Sequence, residues 1–526
     1  MDYDVIVVGG GNAGFAAAIS ARQQLGSTGR VVILEKATSH GGGNTFYTAG
    51  AFRIAHAGLA DLLSFSTSEI EPERVVLPPY TTEDFTEDIR RLGGGKADER
   101  LVKKVVEESH SVAEWLAREA GVKFVLSFNR QAYEVPDSKE DEERQARPSR
   151  FVFWGGLALR TEDGGKGMVQ SYLETCQRLG IEIRYGSRAC GLVVEDGAVC
   201  GVKLHSADQH GEETVIRARG GVILAAGGFS ASKELRMKHL GPQWERALVR
   251  GTPHNEGDAL EFAVRDAGAR IGGDWSGCHA TCWDAHAPPL GGDRDLTNQY
   301  TKSGYPLGLM LNAKGERFVD EGADFRNMTY AKYGRAILRQ PGGYAFQIFD
   351  ARTTPLLRKE EYADDIARKV IAPTLPALAD ALTLDGLECP KTFLGTVSDY
   401  NKSLVNSRAD TFNPAIKDGL STQATPSLTV PKTNWALPID KPPFVAVKVT
   451  CGITFTFGGL EIDCGTANVV SERDGRAIDG LYCTGEMVGN LWWENYPGGS
   501  GLVAGAVFGR IAGREAALRA WHDAAN

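Results

Sequence analysis

Short apolar runs separated by segments of helical period set the pattern of this chain. Val5-Ile6-Val7-Val8 leads into Gly9-Gly10-Gly11-Asn12-Ala13-Gly14. An alanine-rich stretch from Phe15 to Ala21 follows, and a second apolar run, Val31-Val32-Ile33-Leu34, ends on Glu35. Runs this short are strand-sized and the alanine-rich stretch is helical, so residues 1–36 predict a βαβ unit. Its turn carries Gly9-x-Gly11-x-x-Gly14, the dinucleotide spacing. The first glycine makes the turn, the second lets the backbone approach a pyrophosphate, and the third lets helix and strand pack closely. The helix start at Gly11, Asn12 and Ala13 offers free N–H groups to phosphate. Glu35 is placed to accept hydrogen bonds from a ribose diol, with Lys36 beside it.

Further along, Lys96 to Glu119 reads as an amphipathic helix after an acidic, proline-containing stretch from Leu59 to Gly95. The charge run Asp137 to Arg144 reads as a solvated surface excursion. A helix from Gly167 to Leu179 precedes strands at Ile181–Tyr185, Gly191–Glu195 and Val199–Leu204, with Asp196-Gly197 as a hairpin turn. Gly221 to Ala226 is a buried strand. From about residue 275 to 450, aromatics, prolines and helical segments alternate without βαβ rhythm. Glycine-rich strand-then-helix sequence then returns at Gly480 to Glu486, followed by a helix from Leu502 to Arg519. The expected fold is α/β: a Rossmann-like nucleotide domain, 1–275 and 451–526, split by an inserted α+β capping domain, 276–450. A chain of 526 residues exceeds one core's worth of sequence.

Net charge of −9 argues against a nucleic-acid partner. No apolar stretch has the length of a membrane span. The first strand starts so early that no signal peptide is expected, which points to a cytoplasmic protein. Nine cysteines scattered over the chain, without a CxxCxxC run, read as reduced structural thiols, with no iron–sulfur cluster and no metal site.

Three further segments bear on the nucleotide: Gly41-Gly42-Gly43-Asn44-Thr45, the strand end Ile223 to Phe229 with Ala226-Gly227, and Thr484-Gly485-Glu486 ahead of Pro497-Gly498-Gly499-Ser500-Gly501-Leu502. In this order they resemble the flavoprotein family of fumarate reductases and succinate dehydrogenases. The resemblance implies FAD, held by the first glycine turn and by Gly43, Asn44, Thr45, Ala189, Cys190, Ala226, Gly227, Asp258, Glu486, Ser500, Gly501 and Leu502. Respiratory members attach the flavin through a histidine at the position of Asn44, so the resemblance implies a non-covalent FAD here.

The same resemblance suggests an active site. Cys278-His279-Ala280-Thr281 resembles a His-Pro-Thr motif that holds a substrate carboxylate. Glu316 to Glu321, followed by Phe325-Arg326-Asn327, resembles the segment that carries a proton-donating arginine, which makes Arg326 its match. Two positions depart from the reductases: Thr454-Phe455 replaces a histidine-bearing segment, and Tyr496 stands where an arginine clamps a carboxylate. With Tyr330 to Arg335 and Lys432 to Ala436, these departures are similar to the FAD-dependent tricarballylate dehydrogenases. The implied reaction desaturates a C–C bond next to a carboxylate, tricarballylate to cis-aconitate, by proton abstraction and hydride transfer to flavin N5. The polycarboxylate substrate would meet His279, Thr454 and Tyr496 as donors, and succinate would be poor. Arg326 would move the proton, relayed through Asp320, Glu321 or Asp324. If Arg326 only pairs a carboxylate, Tyr330 or Tyr496 supplies the base. Lys302 and Arg335 are exposed candidates for extra carboxylates, and Trp492-Trp493 is either core or pocket wall. The cap would close over the flavin's substrate face. Electrons would leave to a separate acceptor protein or a quinone. A 3-ketosteroid-type dehydrogenase, a fumarate-reductase-like enoate reductase and a non-catalytic FAD-binding protein remain as alternatives.

Overall fold

The computed structural model describes residues 2–135, 150–205, 213–289, 293–405, 412–424 and 428–525. The charge run at 137–144 lies outside the described residues.

The chain opens with β1 (Val5–Val8), α1 (Asn12–Leu25) and β2 (Val31–Leu34). All four residues of each strand are buried, because a parallel sheet is covered on both faces. Gly9 turns the chain at φ +110°, and a Cβ there would lie 2.3 Å from the Ala225 carbonyl oxygen. A Cβ on Gly14 would lie 2.0 Å from the Gly9 carbonyl oxygen, so helix and turn touch through backbone alone. Helices α2 (Glu99–Arg118) and α3 (Gly164–Leu179) lead to β3 (Glu182–Arg184). Strands β4 (Ala189–Glu195), β5 (Ala198–Leu204) and β6 (Thr214–Arg217) then form an antiparallel meander, its first hairpin turning at Asp196-Gly197 with φ of 50° and 82°. Strand β7 (Val222–Leu224) returns to pair with β1 in parallel.

A second sheet begins at β8 (Leu248–Val249), before α4 (Asp258–Ala267). It gains β9 (Cys278–Asp284), β10 (Leu309–Asn312), then α5 (Arg326–Leu338) across it, and β11 (Ala345–Phe349) and β12 (Lys369–Ala372). The long strand β13 (Phe444–Thr456) pairs with β8, β9, β11 and β12. It therefore runs across the 450/451 division expected from composition. Strands β14 (Asn468–Val470) and β15 (Ala477–Cys483) complete the first sheet in the order β14-β15-β7-β1-β2-β3.

The closing helix α6 (Ser500–Ala525) lies along α1. A Cβ on Gly513 would be 2.1 Å from the Ala17 carbonyl oxygen, so the two helices meet with no side chain between them. Among the described residues no helix is long and apolar enough to cross a membrane.

Candidate active site

One cleft runs from the β1–α1 turn to the end of β13. Its nucleotide end is lined by Gly9, Gly11, Asn12 and Ala13 of the first turn, and by Glu35, Lys36, Gly43, Asn44 and Thr45 beyond β2. Ala189, Ala226, Gly227, Asp258, Glu486, Gly501 and Leu502 close it. The side chains are fixed by one another. The Thr45 hydroxyl accepts from the Asn12 backbone N–H at 2.8 Å, while Asn12 Nδ2 donates to the Leu502 carbonyl at 2.8 Å. Tyr172 holds Asn12 Oδ1 at 2.7 Å, so Asn12 ties the two ends of the chain together. Each Glu35 oxygen accepts a backbone N–H, from Gly10 and Ala37, both at 2.8 Å. A carboxylate has further lone pairs, which leaves acceptor capacity for a ribose. Asp258 is paired with Lys36 at 3.1 Å and with Arg188 at 3.1 Å. Glu486 is largely enclosed and accepts from the Thr456 backbone and from Asn255. Burial pushes its carboxyl above the ordinary range.

Three expected cofactor residues sit elsewhere. Gly14 makes the helix–turn contact and does not face the cleft. Cys190 points away: alternate strand residues face opposite sides, so Ala189 faces the cleft and the Cys190 thiol donates to the Lys203 carbonyl instead. Ser500 is wholly buried as the first residue of α6 and does not line the cleft. The cradle fits FAD all the same. A Cβ on Gly11 would meet only the Thr45 hydroxyl, at 3.4 Å, and would otherwise occupy open cleft, where the bare backbone and the first-turn N–H groups of α1 present themselves to a pyrophosphate.

At the other end the cleft gathers His279, Arg326, Tyr330, Thr454, Phe455 and Tyr496. A β-bulge explains how Thr454 and Phe455, adjacent in sequence, both reach it. His279 pairs with Phe455 but Ala280 pairs with Ile453, leaving Thr454 as the extra residue that re-aims the strand. Tyr330 and Tyr496 hydroxyls lie 3.2 Å apart, and Tyr496 Oη lies 3.3 Å from His279 Nδ1. His279 Nε2 is buried without a protein partner. Burial, reinforced by Arg250, pushes the imidazole well below its ordinary pKa, so it is neutral. In the tautomer whose Nδ1 accepts from Tyr496, Nε2 carries the proton and is free to donate. Trp492 packs behind Tyr496 at 5.4 Å between ring centres, and neither it nor Trp493 lines the cleft.

Arg326 opens α5 and is stacked over Trp154 at 4.9 Å and Tyr133 at 5.7 Å, donating to the Arg130 carbonyl at 2.6 Å. Burial first, and then the neighbouring Arg358 charge, lower its pKa to about 10. The acids expected to serve it are engaged elsewhere. Glu321 is locked to Arg317, Asp320 caps Thr433, and Asp324 pairs with Arg91 and Lys417. The carboxylate nearby is Glu361, on the one-turn helix Lys359–Tyr362. It pairs with Arg358 at 2.7 Å and faces Arg130 at 3.7 Å. Burial alone would raise the Glu361 carboxyl, but Arg358 and Arg130 outweigh it and hold it down at about 2.

Other expectations also change. The Thr454 hydroxyl donates to the Arg250 carbonyl at 2.8 Å, so its proton is not available to a substrate. Lys302 is fully buried, bonded to the Gln299 carbonyl and 3.3 Å from Asp284. Arg335 donates to the Ser276 carbonyl. Neither lines the cleft. Arg130, Arg250 and Arg358 do, and each comes from a segment without a motif, so no linear signal marked them.

Residues 4–503 match the family described as FAD binding domain, and the chain belongs to it. It is an FAD-dependent oxidoreductase acting on CH–CH groups, and its relatives include fumarate reductases. A probable fumarate reductase of Shewanella frigidimarina is 27% identical over 98% of this chain and 75% of its own length. The open conformation of a flavocytochrome c3 fumarate reductase superposes with a TM-score of 0.69 at 26% identity, over 98% of this chain and 78% of that one. A 3-ketosteroid Δ4-(5α)-dehydrogenase of Rhodococcus jostii shares the fold, with a TM-score of 0.66 at 24% identity over 98% and 96% of the two chains.

Proposed function

We propose that this flavoprotein desaturates an anionic polycarboxylate, tricarballylate to cis-aconitate. The observation that carries the reading is the cluster of largely buried guanidiniums, Arg130, Arg250, Arg326 and Arg358, lining one end of the cleft, with Glu360 and Glu361 as their only ion-pair partners among the described residues. Four cations against two anions, beside a neutral imidazole, leave positive charge in a dry site. Uncompensated buried charge is costly, and substrate carboxylates would compensate it. A neutral substrate would not.

FAD, held without a covalent bond because Asn44 is committed to Thr454 and Thr252, supplies the two-electron acceptor. The protein's part is to remove a proton next to a carboxylate and to stabilise the charge that develops there. Desolvation favours the neutral form of every group, which lowers Arg326 to about 10 while raising Tyr330 and raising Tyr496 well above the ordinary tyrosine value. The same environment thus improves the guanidine as a proton acceptor and spoils the phenols. Arg326 takes the proton, and Glu361 with Arg130 and Arg358 fixes its surroundings. His279 Nε2–H donates to a substrate carboxylate. Residues 276–450 act as a cap that excludes water. Electrons pass on to a separate protein or a quinone, and the enzyme works in the cytoplasm, in keeping with nine free thiols.

A second reading rests on the Tyr330–Tyr496 hydroxyl pair and the stacked rings of Phe455 and Tyr496 in the cleft, which suit a 3-ketosteroid. Anaerobic mixing decides between them. Flavin bleaching by tricarballylate, weak bleaching by succinate and none by a 3-ketosteroid is expected. Bleaching by the steroid and not by tricarballylate would overturn the proposal.

A further inference from the structure

Arg250 follows β8 directly, where its backbone N–H donates to the Ile453 carbonyl at 2.8 Å. It is 9% exposed and lines the cleft. Three neutral acceptors hold its guanidinium: Thr301 Oγ1 on Nε at 3.1 Å, Thr454 Oγ1 on Nη1 at 3.0 Å and Asn298 Oδ1 on Nη2 at 3.1 Å. Among the described residues no carboxylate forms an ion pair with it. A guanidinium has five N–H donors. With three engaged, one N–H remains on each terminal nitrogen. The group is charged, desolvated and immobilised, and its remaining donors have the pairing that a carboxylate matches.

Its hydrogen-bond partners differ from those of the other cations, although its charge is still felt at Arg130. Arg326, Arg130 and Arg358 form one group, since Arg326 and Arg358 both donate to the Arg130 carbonyl, at 2.6 and 2.7 Å. Arg250 instead faces His279, Tyr330 and Tyr496, whose titration its charge influences. The cleft therefore has two cationic poles. The bulge at Thr454 joins the second pole to the flavin end, because the Thr454 hydroxyl accepts from Arg250 Nη1 and donates to the Arg250 carbonyl, while the Thr454 carbonyl accepts from Asn44.

We infer that Arg250, positioned by Thr301, Thr454 and Asn298, is a second carboxylate-binding subsite that selects substrates carrying a carboxylate away from the Arg326 pole. The inference rests on the polycarboxylate reading above and adds the residue that enforces it. Thr454 is then a positioning residue, acting through Arg250.

The test measures binding to the FAD-loaded protein by calorimetry, so that it does not depend on turnover. Three acids form the series: tricarballylate; glutarate, which is tricarballylate without its central carboxylate; and methylsuccinate, which lacks a terminal one. Arg250→Gln is expected to weaken tricarballylate on the order of 30-fold or more, the usual consequence of truncating one partner of a buried charge pair. It should weaken one of the two diacids similarly and leave unchanged the diacid that lacks the carboxylate Arg250 holds. Arg250→Lys, which keeps the charge without the fork, should give the same ranking with a smaller loss, and it serves if the glutamine variant does not fold. Unchanged tricarballylate affinity in either folded variant would overturn the inference while leaving the polycarboxylate reading standing. Equal weakening of all three acids would overturn it too, since a diffuse charge effect would explain it. A wild-type protein that binds none of the acids would overturn the polycarboxylate reading and this inference with it.

Discussion

If Arg326 accepts the substrate proton, the pH dependence of flavin reduction carries its signature. An ordinary guanidine titrates at about 12.5 or above, whereas burial and Arg358 bring Arg326 to about 10. That lowering of roughly 2.5 units raises the neutral fraction at a given pH by roughly 300-fold and corresponds to about 3.4 kcal/mol. The neutral form, the competent base, makes up on the order of one part in a thousand at pH 7 and one in ten at pH 9. In rapid mixing at saturating substrate, the reduction rate should climb about tenfold per pH unit from pH 7 and level off near 10. Glu361 acts in the opposite direction and raises the Arg326 pKa. Glu361→Gln should therefore move the plateau to lower pH. Arg326→Lys removes the guanidinium stacked over Trp154 and Tyr133, and should slow reduction by several orders of magnitude with much smaller loss of affinity. A rate independent of pH, a plateau below pH 8, or a lysine variant within threefold of wild type would refute the assignment.

Three further outcomes are expected. Acid precipitation should release all flavin into the supernatant, and colour remaining with the pellet would contradict non-covalent binding. Gly11→Leu should yield folded, colourless protein, because its side chain would fill space now bounded only by Thr45; a bound-flavin spectrum would contradict this. Glu361→Gln should lose about 3–5 kcal/mol of stability in denaturant titration, since it leaves the Arg358 guanidinium without its carboxylate and Arg130 with Glu360 alone. The Glu361 carboxyl is depressed from 4.5 to about 2, so its contribution is fully present above pH 4.5 and disappears as pH falls through 2. Equal acid sensitivity of wild type and variant would count against that linkage.

The nucleotide half was readable because its requirements are local. Gly9, Gly11 and Gly14 act through backbone geometry that a short spacing encodes, Gly14 serves the packing its place in the spacing predicts, and Glu35 holds the turn through its carboxylate. Cys190 misled because membership of a strand says nothing about which face a residue takes until its register is known. The substrate end was only half legible. His279, Arg326, Tyr330 and Tyr496 stood in recognisable segments. Arg130, Arg250 and the Arg358–Glu361 pair converge from three separate segments, and no linear pattern records that convergence. Thr454 shows a different limit. Its identity suggested a donor, but the bulge that brings it into the cleft also commits its proton to a backbone carbonyl.

The contact between α1 and α6 has a bearing on biosynthesis. Asn12 and the Leu502 carbonyl it holds are 490 residues apart. At about 5–20 residues per second, roughly 25 to 100 s separate their emergence from the ribosome. Throughout that interval the Ala13, Ala16 and Ala17 face of α1 lacks the glycine-bearing helix that covers it. The cradle that Asn12 and Leu502 build together is therefore complete only after the glycine-bearing helix has been made.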